Sequence, residues 1–455
     1  MIELLRRAAA VVPDGAAVVD DDRAYTYAAM AHWAEAIADG LVDEGIDRFA
    51  IATTDAASAI ALLAGASLVS VEACQYAGTD SASDIAALLE RFDHRTLVTD
   101  RDDLADLDCR VLRVQDLAPA GASSTSDRPV PTGPRPLLIL TTGTTGLPRA
   151  ARHDWSRALR SLLRLEPRPG PRWLLAYGPH QFAGMHYVMN MLALGVTLVA
   201  PRERRPKDSV AAMRDHDVTG ISATPTWWRF VLAELAADGG PTPKLEQITL
   251  GGEAVPDALL AQLTATFPDA KITQIYGANE FGTSGSVRDR RAGLPAAMLE
   301  RDDDALVQVK IVDGELWVKS KVGMLGYYGE DPVDPDDWRP TGDRVDLVGD
   351  RILFRGRTSE IINVGGVKVH PVPVEETIGA VPGVRLVRVF GRENRLTGAI
   401  VAAEVVAEPG VPTDALADAI RAACAELPAA MRPRSIKFVE ELAVRGGKVD
   451  RRTSA

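Results

Sequence analysis

Nine residues, Thr141-Thr-Gly-Thr-Thr-Gly-Leu-Pro-Arg149, combine four threonine hydroxyls, two glycines and one fixed positive charge. They follow an apolar run, Leu137-Leu-Ile-Leu140, that reads as a buried strand. Glycines let a ligand approach the main chain closely, and clustered N–H groups form an anion nest. A guanidinium beside them adds charge and directional donors. The chemistry this suits is the holding of a polyphosphate, and an ordinary strand-to-helix turn is the alternative that the stretch alone leaves open. The spacing Gly-x-x-x-x-Gly-Lys-[Ser/Thr] does not occur, which argues against a P-loop nucleotidase, and Gly-x-Gly-x-x-Gly is absent too. Without a Gly-x-Ser-x-Gly elbow a serine hydrolase is disfavoured. Cys74, Cys109 and Cys424 lie far apart, and the histidines have no metal-ligand spacing.

Such a turn must be held by strands that end beside it. Tyr27–Glu44 carries apolar residues at helical spacing and stops at Gly45. Phe49–Thr53 reads as a strand, Ser58–Leu68 as a helix and Thr96–Thr99 as a strand; Pro119–Pro136, rich in Pro, Gly and Ser, reads as a linker. The alternation resumes with a helix at Tyr187–Leu194, strands at Thr197–Ala200 and Gly220–Ser222, a helix at Trp227–Ala237, and strands at Gln247–Leu250 and Lys271–Ile275. Strands alternating with helices predict an α/β fold built on parallel sheet. After Leu306 short β segments alternate with Gly, Asp and Pro turns, and from Thr358 to Ala455 enough chain remains for a small αβ domain. Its expected pieces are strands at Val384–Phe390, Ala399–Val406 and Ser435–Val439 and a helix at Asp414–Leu427.

Composition sets the outer limits. The 455 residues are 46% hydrophobic and 25% charged, which excludes wholesale disorder. A net charge of −12 with no long Lys/Arg block disfavours nucleic-acid and anionic-membrane partners. No apolar stretch is long enough to span a bilayer, no signal-peptide core follows Met1, and the sparse cysteines fit a reducing, cytoplasmic location.

A series of blocks extends the phosphate-loop reading. Gly251-Gly-Glu-Ala254 follows a strand, and Tyr276-Gly-Ala-Asn-Glu280, Gly314-Glu-Leu-Trp-Val318 and Gly326-Tyr-Tyr328 come next. Thr341-Gly-Asp343, Gly356-Arg357, Asn363-Val-Gly-Gly-Val-Lys368 and Gly447-Lys448-Val-Asp-Arg451 complete the set. In this order the chain resembles the adenylate-forming (ANL) enzymes, which include acyl-CoA synthetases, nonribosomal-peptide adenylation domains and firefly luciferase. The resemblance covers roughly residues 25–455. It departs from the family pattern where Arg149 replaces Lys, Ala150 replaces Gly, Asn279 replaces Thr, Ser359 stands where many relatives carry Asp or Lys, and Ala443-Val-Arg445 replaces Pro-Arg-Thr.

The resemblance implies a large N-terminal domain of α/β layers with a β-rich subdomain, residues 1–357, and a small mobile α+β lid, residues 358–455. It implies an ATP-dependent carboxylic acid ligase that forms an acyl-adenylate and passes the acyl group to coenzyme A. A carrier-protein phosphopantetheine or an amine as acceptor, an atypical small anion as substrate, and a non-catalytic nucleotide sensor stay open. By this resemblance Thr141, Thr142, Gly143, Thr144, Thr145 and Gly146 hold phosphates with Arg149, Gly251, Gly252, Glu253 and Ala254 stack on adenine, and Tyr276 and Gly277 belong to the ATP/AMP-binding set. Asn279 donates to the α-phosphate, Glu280 holds Mg²⁺, Asp343 accepts from the ribose hydroxyls, and Arg357 contacts ribose or phosphate. Lys448 bridges the carboxylate and the α-phosphate as the adenylate forms. Phe182, Ala183, Gly184, Trp227 and Trp228 are the candidates for the acyl pocket; the two adjacent tryptophans point to different faces, so one of them at most reaches the substrate. Gly365 and Gly366 line the thiol passage, and Ser359 marks the hinge. His180 is either a gate to the pocket or a loop histidine, and His186 belongs to the core.

Overall fold

A computed structural model describes residues 1–21, 23–120, 122, 128–141, 148–302, 304–445 and 448–450. Two largely parallel sheets form the body. One has eight strands, in spatial order 282–287, 271–278, 247–251, 220–223, 172–175, 197–199, 16–19 and 24–26. The other has seven, in order 326–327, 149–154, 136–141, 72–75, 48–52, 96–99 and 110–113. The helix Ala56–Val69 is apolar on every side, and all but its last residue are buried. A helix without a polar face must lie inside the protein, and this one packs on the helix Tyr27–Asp43 in the main core. Asp55 caps it by accepting from the Ala57 and Ser58 N–H groups. No helix among the described residues is long and apolar enough to cross a membrane.

The expected strands and helices recur to within a few residues. The helix predicted from Tyr187 begins five residues earlier, at Phe182, and the one predicted from Trp227 begins at Pro225. One connection differs in kind. The turn after Thr141 leads into a second strand, Arg149–Asp154, antiparallel to Pro136–Thr141 with Thr141 opposite Arg149, so the strand-to-helix alternative does not hold. The helices Ile2–Val11 and Pro371–Gly379 carried no sequence expectation.

A third sheet, 294–295, 351–357, 339–348, 315–320 and 307–312, is antiparallel and follows the body. Its last segment in chain order ends at Arg357, and a separate five-stranded sheet begins at Ile362. That C-terminal sheet holds its own core around Val374, Ile378, Val389, Val401, Val405 and Ile420. Beyond it a hairpin pairs Val444–Arg445 with Lys448–Val449.

Candidate active site

The strands ending at Thr141, Leu175, Ala223, Gly251 and Ala278 deliver their last residues, or the turns just after them, to one cleft of about 2110 Å³. Ligands of open α/β sheets bind beyond the carboxyl ends of parallel strands, and this cleft lies there.

On one wall Tyr276, at the end of the strand Lys271–Ala278, donates its hydroxyl to Asp343 Oδ2 at 2.7 Å. Arg357 sits across the strand pair from Asp343, with Nε 3.3 Å from Oδ1. Burial raises the Asp343 carboxyl, while Arg357, the Tyr276 hydroxyl and Lys448 pull it back toward the ionised form. Each carboxylate oxygen has two lone pairs, so both can accept a further hydroxyl. The Tyr276 ring is wedged between Phe281 and Phe354, with centroids at 5.3 and 5.0 Å.

Gly252 follows the strand Gln247–Gly251 at φ +87°. A Cβ placed there would lie 3.0 Å from Lys448 Cε and 3.3 Å from Nζ, so the lysine of the C-terminal hairpin rests directly on the bare backbone of the body. Solvent reaches Lys448 through the cleft, yet the surrounding protein lowers its ammonium pKa; Glu253, Asp343 and Glu280 oppose that shift and Arg357 adds to it. Glu253 itself is held by a helix: its carboxylate accepts from the Thr226 N–H and Thr226 Oγ1, both at 2.9 Å, at the start of Pro225–Asp238.

Glu280 also lines the cleft, and its Oε1 accepts the Tyr327 hydroxyl at 2.6 Å. Gly251, Ala254, Gly277, Ser359, Phe182, Ala183 and Trp227 line it too. Thr142, Gly143, Thr144, Thr145 and Gly146 lie outside the described residues, leaving Thr141 to represent the turn.

Several expected placements change. Arg149 does not line the cleft: its guanidinium lies 3.3 Å from the Tyr327 ring centroid and pairs with Glu330 at 2.5 Å. Asn279 is buried and lines the cleft, with Oδ1 2.6 Å from His153 Nε2 and Nδ2 donating one of its two hydrogens to the Ile139 carbonyl at 3.1 Å. Trp228 is fully buried against Phe267, while Trp227 faces the cleft; adjacent positions on a helix diverge, and one indole alone reaches the site. Gly184 is buried, its Cα facing the Gly178 carbonyl. Gly365 and Gly366, at φ +58° and +88°, form the exposed two-residue turn between paired Val364 and Val367, the geometry of a type I′ hairpin, and do not line the cleft. His186 is half-buried and lines the cleft, four residues beyond Phe182 on the same helix face. That i, i+4 spacing was the available signal. His180 lines the cleft with its ring over Gly178, and burial beside Arg204 lowers it to about 4.

Comparison with known proteins agrees with this geometry. The profile of AMP-binding enzymes matches residues 5–328, and that of the AMP-binding enzyme C-terminal domain matches residues 373–446. The chain is 27% identical over 299 residues to a fatty acid–[acyl-carrier-protein] ligase, ScoC, of Streptomyces coeruleorubidus, covering 60% of this chain and 57% of that protein. It is 23% identical over 472 residues to a 2-succinylbenzoate–CoA ligase of Bacillus licheniformis, covering 96% of each. Across three other alignments to curated relatives the chain spans 32%, 60% and 67% of their length. The crystal structure of the anthranilate CoA ligase AuaEII with anthranoyl-AMP shares the fold, with a TM-score of 0.84, 20% identity, and 98% of this chain and 95% of that one covered.

Proposed function

The chain belongs to the family of AMP-binding enzymes, and on that premise we propose that it is an ATP-dependent carboxylic acid ligase that makes an acyl-adenylate and then a thioester. A carboxylate is a poor electrophile because its charge is delocalised; joining it to AMP supplies a leaving group. The difficulty is electrostatic, since two anions must approach. An ammonium about 4 Å from each, at an effective dielectric near 20, returns roughly 4 kcal/mol per contact. Lys448, poised over Gly252, is the residue for that task, and its position there is the observation that carries the reading.

Asp343, oriented by Tyr276 and Arg357, is the acceptor for the ribose hydroxyls. Glu280 suits Mg²⁺. Its Oε1 keeps a second acceptor site after accepting from Tyr327, and the described residues contain no group of three or more His, Cys, Asp or Glu that could cage a metal. Magnesium is commonly held by one or two carboxylates, the remaining positions going to phosphate oxygens and water, and when bound it neutralises phosphate charge. Arg149 acts on Glu280 at second hand, stacking on the tyrosine that donates to it.

The acceptor is a pantetheine thiol. Coenzyme A is favoured by the near full-length similarity to a CoA ligase, and a carrier protein by the similarity to an acyl-carrier-protein ligase. A pyrophosphate-release screen over aliphatic, aryl and hydroxy acids, with coenzyme A, loaded carrier protein or a free amine, tests the proposal. Release that requires both ATP and one class of acid, with a thioester formed only on addition of one thiol, is expected. Pyrophosphate release with no acid dependence, or none with any acid, removes the reading.

A further inference from the structure

The helix Phe182–Leu194 narrows the choice of acid. Phe182, His186 and Asn190 recur every fourth residue, share one face and all line the cleft. They continue a row that starts at the nucleotide motif. Asn279 pairs with His153, His153 stacks on Phe182 at 6.1 Å and 22°, and Phe182 stacks on His186 at 5.7 Å and 28°. The row ends at Asn190, whose Nδ2 donates to the His186 carbonyl at 2.8 Å and lies 3.1 Å from His186 Nδ1.

Those two contacts locate a proton. A backbone carbonyl only accepts, so the amide must turn its NH₂ toward it, and the same nitrogen then donates to Nδ1. Nδ1 therefore holds a lone pair, and in the neutral ring the hydrogen sits on Nε2. Burial pushes His186 down to about 4, which keeps the ring neutral at working pH. Nε2 has no hydrogen-bond partner among the described residues. Stacking fixes the ring plane and Asn190 fixes the tautomer, so the cleft presents an oriented donor with nothing to receive it. A polar group left unpaired as a ligand closes over it costs affinity, which disfavours a plain hydrocarbon chain at this point.

We propose that His186 Nε2–H is a specificity-determining donor, and that the acid carries a hydrogen-bond-accepting oxygen (carbonyl, ether, hydroxyl or second carboxylate) remote from its reacting carboxylate. The inference rests on the ligase reading above. Its test uses matched acids that differ by an oxygen-bearing group against a methylene or methyl of the same shape, such as a keto acid against its methylene analogue and a methoxybenzoate against an ethylbenzoate. Pyrophosphate release gives kcat/KM for each. The natural protein favours the oxygen-bearing member by about tenfold. His186→Phe keeps a flat ring against Phe182 but removes the donor, and it brings that ratio close to one, mainly through KM. His186→Gln restores an N–H and recovers part of the preference, and thermal melting verifies that both variants fold. A ratio unchanged by His186→Phe, or a preference for the hydrocarbon members in the natural protein, overturns the inference while leaving the ligase reading intact. A flat response to every acid removes the ligase reading and this inference with it.

Discussion

Lys448 meets the body of the protein at Gly252, a residue with no side chain. Its φ of +87° is strained for any other residue, and a Cβ there would press on the lysine stem at 3.0 Å. In the proposed reaction the ammonium is needed only while the carboxylate attacks. Lys448→Ala should therefore slow adenylate formation by about two to three orders of magnitude, the scale set by removing one preorganised donor. Thiolysis of supplied acyl-adenylate should stay within a few-fold. Single-turnover assays of the two half-reactions decide this, and equal losses in both would show that the lysine does something else. Lys448, Asp343 and Tyr276 were legible in the sequence because each sits in a short block whose backbone turn places it. Arg149 and Trp228 were misplaced because a side chain's direction depends on strand register and on the neighbour it finds: a Tyr327 ring, a Phe267 edge.

Elements decide whether that lysine arrives. Its hairpin has arms of two residues, far too little to be stable alone. Arg388 supplies the anchor: on the strand Val384–Asn394 it donates to the Asp450 carbonyl at 3.0 Å and pairs at 2.5 Å with Glu404, its cross-strand partner. Both side chains are largely buried, so removing the arginine alone would strand a carboxylate; the informative variant is Arg388→Met combined with Glu404→Leu. With the anchor gone, a displacement of the order of 1 Å at Lys448 predicts a loss of about a hundredfold in adenylation. Thiolysis should change little, and the C-terminal core should melt as before. If adenylation survives, the anchor is ornamental to the lysine; if thiolysis falls equally, the lid itself has been damaged. The strands here were legible from alternation. The strut was not, because which arginine faces which carbonyl is set by pairing between segments 62 residues apart.

At the scale of the whole molecule, the C-terminal sheet meets the body through an apolar cluster and a set of charged groups. Phe230, half-buried on the helix Pro225–Asp238, packs against the cluster of Leu386, Val406 and Leu442, and Arg385 lies over its ring at 5.5 Å. Glu376 adds a carboxyl that burial raises, facing Arg355 and Arg229, with Asp257 close by. The proposed reaction needs two arrangements of this sheet on the body. The arrangement seen here brings Lys448 to Gly252 and leaves the Gly365-Gly366 turn exposed outside the cleft, which suits the proposed adenylation step. Delivery of a thiol past those glycines would need the sheet to turn, which also withdraws the lysine. Phe230→Ala tests the balance from the body side without touching the lysine hairpin's own anchor. Losing a half-buried ring contact of about 1 kcal/mol shifts a two-state population by about fivefold. Adenylation should fall by about that factor, thiolysis of supplied acyl-adenylate should hold or rise, and a fluorescence-transfer pair across the two parts should report a longer mean distance. Parallel loss in both half-reactions, with the distance unmoved, would mean that Phe230 serves only the packing of its helix and that the two arrangements are not balanced through this contact.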